Sequence, residues 1–292
     1  ITKPGEGNMN VVLRIRTNRR SLILKQSRPY VQKYEQIPAP LERIAVEHFF
    51  YKTIQNAALG AHLPKVLGYA PEHFTLFLED LGHCEDMVFL YAKKSISEKE
   101  LHPLISILKG IHDNGSVADF PDNLEMRRLN YQHIFVLPFL KDNGFNLDQV
   151  QQGLEELSRP FKNDAGLKSV VESLGKKYLS RGNTLLHGDF YPGSWIIKEE
   201  KLYIIDPEFS FVGFPEFDLG VMTGHLILAT QDPGYLNKVY EQYNGPVDKA
   251  LIGRVAGTEI MRRLIGLAQL PLKRSIPEKK QLLQIAHQMI LK

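Results

Sequence analysis

The stretch from residue 185 to residue 209 constrains this chain most, because it places acidic side chains at the ends of two apolar runs. It reads LLHGDFYPGSWIIKEEKLYIIDPEF. Asp189 follows the first run, and Asp206 and Glu208 follow the β pair that we expect at 195–198 and 202–206. Carboxylates at neighbouring strand ends can converge on one metal and phosphate site. The layout predicts a phosphoryl-transfer centre, with Asp189 as the base and Asp206 and Glu208 as Mg²⁺ ligands.

Each member of this segment also has a plainer interpretation. Residues 206–208 are alternatively an exposed polar turn, although their apolar neighbours make a free solvent turn a poorer fit. Ser194 has two open roles, either orienting the loop after Asp189 or approaching the metal. We expect His187 to hold the loop backbone rather than take part in chemistry. We also expect Asp218, at an apolar helix start, to cap the helix or bond the loop.

A glycine-rich loop and a strand lysine form the second candidate cluster. The loop, GEGNMN, runs from Gly5 to Asn10 directly before a strand, and Gly5 and Gly7 let backbone amides approach phosphate oxygens. Lys25 ends the next strand, and Glu47 on the following helix is its candidate partner. The alternatives are an ordinary turn, a lysine that reaches solvent along the sheet edge, and a solvated glutamate.

Two adjacent arginines, Arg262 and Arg263, stand inside an apolar helix. Neighbouring residues of a helix diverge by about 100° around its axis, so at least one arginine must face inward or into a cleft. Arginine forks suit phosphate groups and sugar hydroxyls. The alternative is one solvated arginine and one in an internal salt bridge.

Hydrophobic patterning predicts an α+β protein with two lobes. Residues 11–16, 21–25, 65–69 and 74–79 have strand character, and 40–57 has helical spacing. From residue 97 onward the 195–206 pair is the only strong strand signal, among helices expected at 97–113, 122–134, 146–158, 166–181, 215–230, 232–243, 247–269 and 276–291. We therefore predict a β-rich nucleotide lobe at 1–79 and a helical lobe at 80–292 that carries the catalytic loop and substrate site.

Composition excludes several classes of function. The net charge of +3 over 292 residues does not indicate a nucleic-acid binder. No apolar run approaches the ~20 residues that a membrane span requires, and no signal peptide is evident, so we expect a cytoplasmic protein. The single cysteine, Cys84, is expected to be a small buried apolar residue. The chain opens on Ile1, and we expect a segment to precede it.

These residues, in this order, resemble the aminoglycoside-phosphotransferase and protein-kinase-like superfamily, and within it the 5-methylthioribose kinase family. The resemblance extends from Gly5 to about Ala268. The segments that carry it are GEGNMN, SLILKQSRPYV, LERIAVE, LEDL, LLHGD…GS, IIDPEFSFVG…FDLG and EIMRRLIGLA. It implies ATP between the lobes, a small-molecule acceptor that is a sugar or an amino-alcohol, and a homodimer as one form of assembly.

The resemblance also implies roles for individual residues. Asn10 and Lys25 match the residues on the ATP phosphates, and Glu79, Asp80 and Leu81 match the hinge whose backbone bonds adenine. Asp189 matches the aspartate that meets the acceptor hydroxyl, and Asp206 with Glu208 matches the metal carboxylates. Ser194 stands where many relatives have asparagine. Arg262 and Arg263 match an arginine pair that faces the sugar.

Two departures from that family bear on the acceptor. The family usually shows HGDLHTGS, whereas this chain reads HGDFYPGS, and Phe214-Pro215-Glu216 replaces a glycine-containing segment. Despite these departures, the resemblance implies a kinase for 5-methylthioribose. The alternatives are a related kinase for an aminoglycoside, choline, homoserine or fructosamine-type acceptor, and a silent nucleotide-binding protein.

Overall fold

A computed structural model describes residues 1–5, 7, 9–54, 59–114 and 117–292. The strands are β1 (Val11–Arg16), β2 (Ser21–Gln26), β3 (Tyr30–Val31), β4 (Tyr34–Pro38), β5 (Val66–Ala70), β6 (Thr75–Glu79), β7 (Glu85–Asp86), β8 (Thr184–Leu186), β9 (Trp195–Lys198), β10 (Lys201–Ile204) and β11 (Phe211–Gly213). The α-helices are α1 (Arg43–Ile54), α2 (Leu90–Lys93), α3 (Glu98–His112), α4 (Leu124–Tyr131), α5 (Leu154–Asn163), α6 (Ala165–Leu179), α7 (Glu216–Thr230), α8 (Tyr235–Tyr243), α9 (Lys249–Ile265) and α10 (Ile276–Leu291).

The N-terminal part contains an antiparallel sheet in the order β1-β2-β6-β5, and helix α1 follows its β1–β2 hairpin and the separate β3–β4 hairpin. The strands are rich in Val, Ile and Leu, which suit a half-buried pleated surface. On α1, Ile44, Phe50 and Ile54 are fully buried and join the hydrophobic core. The register pairs Val12 with Lys25, so the lysine lies beside the strand that follows the glycine loop.

The C-terminal part is mostly helical and is built around α7. Nearly every residue of α7 is buried, and this apolar helix packs mainly against α9, which α10 covers from the other side. A helix that is apolar on all faces has to lie inside the protein. Because α7 and α9 are central, the polar residues at their ends and inner faces are held rigidly.

The α+β, two-lobed architecture predicted from the sequence is confirmed. The sheet and α1 make the small lobe, and the helices from α2 onward make the large one. The dividing line near residue 79 stays a prediction; it falls where β6 ends and the chain passes into the helical part. Among the residues that the structure describes, no helix is both long and apolar enough to cross a membrane.

Several details differ from the predictions. The helix expected at 146–158 is wrong: a 3₁₀ turn at Leu147–Gln149 and a Gly153 with φ of +88° precede α5, because that left-handed residue breaks the helical path. The 195–206 pair is not the only strand pair of the large lobe, since β8 pairs with β11. Cys84 is half-exposed rather than buried.

Candidate active site

A cleft of about 910 Å³ lies between the two lobes. It gathers most of the site residues predicted from the sequence, although these are far apart along the chain. Those that line it are Gly5, Gly7, Lys25, Glu79, Asp80, Leu81, Asp189, Ser194, Asp206, Glu208, Arg262 and Arg263. Asn10 and Glu47 are buried behind this lining. A cavity of this size with converging charged groups is a candidate binding site for small molecules.

Lys25 forms one of the charged contacts between the two lobes. Its Nζ lies 2.7 Å and 2.8 Å from the carboxylate oxygens of Glu47, and 2.6 Å from Oδ1 of Asp206. Burial alone would lower the pKa of Lys25, but the Asp206, Glu47 and Glu208 carboxylates outweigh it and raise the pKa above the usual lysine value. The expected contact with Glu47 is therefore present, and Lys25 carries a fixed positive charge at the cleft.

The loop that carries Asp189 is shaped by Gly188 and Asp218. Gly188 has φ of +84°, and a Cβ there would lie 2.2 Å from the backbone oxygen of Phe209, so only glycine fits. The backbone N–H groups of His187 and Gly188 donate to the Asp218 carboxylate at 2.7 Å and 2.9 Å. The His187 ring contacts the Ile205 oxygen at 3.0 Å. His187 and Asp218 hold the loop, in line with the structural interpretation.

Asp189 faces the cleft with a side chain that is 21 % exposed. Its Oδ1 lies 3.6 Å from Nη2 of Arg263. Burial raises the pKa of Asp189 to about 6, although the Arg263 and Arg262 guanidinium groups act in the opposite direction. A carboxylate with such a pKa is a stronger base than an ordinary aspartate and is still ionised at neutral pH.

The Ser194 side chain is hydrogen-bonded within the loop that follows Asp189. Its Oγ lies 3.0 Å from the Asp189 backbone oxygen and 2.9 Å from the Tyr191 backbone oxygen, and it accepts from the Tyr191 N–H at 3.2 Å. The side chain is almost fully buried. These contacts favour the loop-orienting alternative, and a role for Ser194 at a metal stays a prediction.

Asp206 and Glu208 differ sharply in environment. Asp206 sits in the left-handed region at φ of +61°, and its side chain is 47 % exposed toward the cleft. Glu208 is buried, with Oε2 3.0 Å from Nδ2 of Asn10 and 3.3 Å from Nε of Arg43. Burial raises the pKa of Glu208 to about 8, against the pull of Lys25 and Arg43. Only one of the two carboxylates is open to the cleft.

The carboxylates at the cleft suit a hard cation such as Mg²⁺, most of whose ligands are waters and phosphate oxygens rather than protein groups. Among the described residues there is no cluster of three or more His, Cys, Asp or Glu side chains able to hold a metal by themselves. Mg²⁺ is commonly held by one or two carboxylates, with waters and phosphate oxygens completing its coordination. Asp206 therefore fits a Mg²⁺ ion bound together with a nucleotide, whereas Glu208 would have to give up its contacts with Asn10 and Arg43 to become a second ligand.

The glycine loop agrees only partly with its predicted role. Gly7 approaches the backbone so closely that a Cβ would lie 2.3 Å from the Asn10 oxygen. Glu6 and Asn8, also part of the loop, lie outside the described residues. The Asn10 side chain does not point freely into the cleft, because it donates to Glu208 and accepts from Arg43 Nε at 2.9 Å. To contact phosphate as predicted, the Asn10 side chain would have to exchange its hydrogen bonds with Glu208 and Arg43 for bonds with phosphate oxygens.

The hinge segment lies at the cleft with its backbone fixed by Asp80. The Asp80 carboxylate accepts from Nε of Arg14 at 3.1 Å and from the backbone N–H of Gly82 at 3.0 Å, and it also accepts from the Ser21 hydroxyl. The Glu79 carboxylate accepts from the backbone N–H of Lys65 at 3.2 Å. These side chains shape the hinge, and a contact between its backbone and adenine stays a prediction.

The arginine pair of α9 lines the opposite end of the cleft. Both guanidinium groups bind Glu259, with Arg262 Nη1 at 2.9 Å and Arg263 Nε at 2.6 Å. Neither arginine is free in solvent, so both belong to one buried charge cluster. Contact with a sugar stays a prediction for both.

Sequence reasoning missed residues whose importance depends on distant partners. Arg43 binds Glu208, and Asn123 Nδ2 donates to the backbone oxygens of Glu208 and Ser210 at 3.0 Å each. Asn130 and His133, from α4 and the π-helical turn Gln132–Val136, line the cleft near the arginines. Arg43 had one available signal, its position four residues before Glu47 on the same helix.

Comparison with known proteins agrees with this architecture. Residues 1–256 match the phosphotransferase enzyme family. A methylthioribose kinase from Exiguobacterium sibiricum is 30% identical over 77% of this chain and 60% of its own length, and one from a Geobacillus species is 27% identical over 96% and 81%. The crystal structure of choline kinase LicA from Streptococcus pneumoniae has a TM-score of 0.53 at 17% identity, covering 98% of this chain and 90% of LicA.

The fold is the one that this choline kinase has. The chain belongs to the phosphotransferase enzyme family. The match to the Exiguobacterium kinase spans only three fifths of that protein, whereas the Geobacillus match spans four fifths.

Proposed function

We propose that this chain transfers the γ-phosphoryl group of ATP to a hydroxyl group of a small sugar. One observation carries the proposal. A single cleft holds a strand lysine bound to Asp206 on one side, and on the other Asp189 beside Arg263. Phosphoryl transfer requires little covalent help from the protein, so positioning and charge neutralisation supply most of the rate.

In this proposal each charged group has one task. Lys25 binds the ATP phosphates while Glu47 keeps the ammonium in place. Asp189 accepts the hydroxyl proton of the acceptor as the hydroxyl oxygen attacks the γ-phosphorus and ADP leaves. Asp206 and Glu208 would hold Mg²⁺. The ion, when bound, neutralises the charge of the phosphate oxygens.

The specific acceptor that we propose is 5-methylthioribose. The methylthioribose kinases at 27–30% identity support a sugar over other acceptors. The arginine pair supports it too, because guanidinium groups bind sugar hydroxyls well. Nucleotide use is supported by a kinase of the same fold, LicA, whose structure has been determined in complex with AMP.

The base assignment is tested by Asp189→Asn. The amide cannot accept the proton, so we expect a loss of turnover of about a hundredfold or more, with ATP binding unchanged by calorimetry. Wild-type turnover should also fall as the pH is lowered through about 6, where Asp189 takes up its proton. Turnover at the wild-type level in Asp189→Asn would rule out Asp189 as the base.

An amino-alcohol acceptor is the second candidate. The Tyr191 ring faces the Arg263 guanidinium at 5.1 Å, so an aromatic face already serves a cation in this site. Aromatic faces also bind quaternary ammonium groups. ATP consumption should be measured with 5-methylthioribose, choline, homoserine, an aminoglycoside and a fructosamine. Strong turnover of choline with none of methylthioribose would overturn the first choice, and no stimulation by any acceptor would support a silent nucleotide-binding protein.

A further inference from the structure

The Arg263 guanidinium group lies between two carboxylates, close to Glu259 and farther from Asp189. Its Nε donates to Oε1 of Glu259 at 2.6 Å, whereas its Nη2 stays 3.6 Å from Oδ1 of Asp189. The Tyr191 ring lies 5.1 Å from the guanidinium carbon and covers one face of the group. The strong hydrogen bond thus goes to Glu259, and Asp189 receives charge without a close contact.

Glu259 is itself fixed by a buried chain of hydrogen bonds. Its carboxylate is 1 % exposed and also binds Nη1 of Arg262. Nε2 of His225 lies 3.0 Å from its Oε1, and Nδ1 of His225 lies 2.6 Å from the hydroxyl oxygen of Tyr91. Burial lowers the pKa of His225 to about 4 despite its bond to Glu259, so the ring is neutral. A neutral ring that accepts from Tyr91 must donate from Nε2 to Glu259.

We propose that Glu259, oriented by His225 and Tyr91, is a positioning residue that holds Arg263 back from Asp189 and so keeps the Asp189 carboxylate free for the acceptor hydroxyl. This inference rests on the proposed function only in the role it gives to Asp189. It assigns Glu259 no contact with the substrate.

The physical basis is competition for one guanidinium group. Arginine and carboxylate groups form bidentate pairs with two parallel hydrogen bonds when nothing prevents it. Such a pair between Arg263 and Asp189 would occupy the oxygens that must receive the acceptor proton. Glu259 is charged, buried and already bonded to Nε of Arg263, so it outcompetes Asp189 for the close contact.

The first test is Glu259→Gln, which removes the charge and keeps the size of the side chain. A crystal structure of the variant should show Nη2 of Arg263 moved from 3.6 Å to hydrogen-bonding distance of Asp189. This readout needs no activity, so it stands even if the proposed reaction is wrong. An unchanged or longer separation would overturn the inference.

The second test is kinetic and uses suppression. With the acceptor that the panel of the preceding section identifies, Glu259→Gln should lower kcat by about tenfold or more, with the KM for ATP unchanged. Adding Arg263→Met removes the competing cation, so the double variant should regain kcat while its KM for the acceptor rises. A double variant with kcat no higher than that of Glu259→Gln would contradict the proposal.

A third variant covers the case in which Glu259→Gln does not fold. Arg263→Lys preserves the charge beside Glu259, but an ammonium lacks the planar fork with which a guanidinium group forms two parallel hydrogen bonds to a carboxylate such as Asp189. We expect kcat within about threefold of wild type and a raised acceptor KM. A kcat as low as that of Asp189→Asn would overturn the inference. His287→Gln is the control. His287 lies on α10, and its Nε2 lies 2.8 Å from Asp164 at the start of α6, so this substitution should leave kcat and the acceptor KM unchanged.

Discussion

Lys25 is a buried charge of the small lobe that is surrounded by carboxylates. Its side chain is 4 % exposed, and its ammonium group binds Glu47, which is fully buried, and Asp206, which reaches the cleft. Two charges removed from water are tolerable only when they stay paired, because desolvation of each costs several kcal/mol. One side chain therefore both holds the lobe interior together and supplies positive charge where phosphate would bind.

At this scale we predict that Lys25→Met destabilises the protein by about 3–5 kcal/mol, because it leaves the Glu47 carboxylate buried without a partner. Urea unfolding monitored by circular dichroism measures this change. The double variant Lys25→Met/Glu47→Gln, which has neither charge, should recover most of the stability but no ATP binding. Equal instability of the single and double variants would show that the buried charge is not the cause.

Helix α7 is the element that positions the catalytic loop. Asp218 lies in its first turn and accepts from the backbone N–H groups of His187 and Gly188, while Nε2 of His112 lies 3.2 Å from Asp218. The helix is buried along nearly its whole length, so these bonds tie the loop to the most rigid part of the large lobe. The orientation of Asp189 follows from how α7 packs.

At the scale of this element we predict that Asp218→Asn costs about 1–3 kcal/mol, because the amide group cannot accept from both backbone donors. Turnover should fall because the loop loses its orientation. ATP affinity should be retained because the residues that contact the nucleotide are unchanged. Glu216→Gln is the matched control in the same turn: Glu216 accepts from the backbone N–H of Asp248 and does not contact the loop. An equal loss of turnover in both variants would contradict a specific role for Asp218.

The two lobes of the whole molecule are tied together by polar contacts at the site itself. Lys25 reaches Asp206, and Asn10 and Arg43 reach Glu208, each pair joining the small lobe to the large one. Ionisation of Glu208 is unfavourable at this junction, because burial raises its pKa to about 8. An ordinary glutamate ionises near pH 4.3.

The sign of the resulting pH dependence is definite. The folded state keeps a proton on Glu208 that the unfolded chain releases, so this contribution to stability is complete below about pH 4.3 and is lost as the pH rises to about 8. We predict that Glu208→Gln, which cannot ionise, raises the melting temperature of the ligand-free protein at pH 8 and changes it little at pH 4.5. Calorimetry at the two pH values checks this. Equal shifts at both would contradict it.

Much of the fold could be predicted from local sequence patterns. Runs rich in Val, Ile and Leu predicted strands at 11–16 and 21–25, where β1 (Val11–Arg16) and β2 (Ser21–Gln26) lie, and helical spacing predicted a helix at 276–291, where α10 lies. It failed at β8 and β11, because three-residue strands have too little pattern to recognise and exist only through pairing with each other. Helix α5 was misplaced because a left-handed glycine, Gly153, was not recognised as a break.

The sequence alone predicted part of the charged lining of the cleft, namely Lys25, Asp189, Asp206 and the two arginines of α9, because strand ends, a tight glycine turn and a strand lysine are local features. Only the tertiary structure decided what those side chains bond. Asn10 is hydrogen-bonded to Glu208, 198 positions away. The contacts of Arg43 with Glu208 and of His225 with Glu259 were not predicted. Buried charges choose partners by proximity in the folded core, and proximity across such separations leaves no mark in the local pattern.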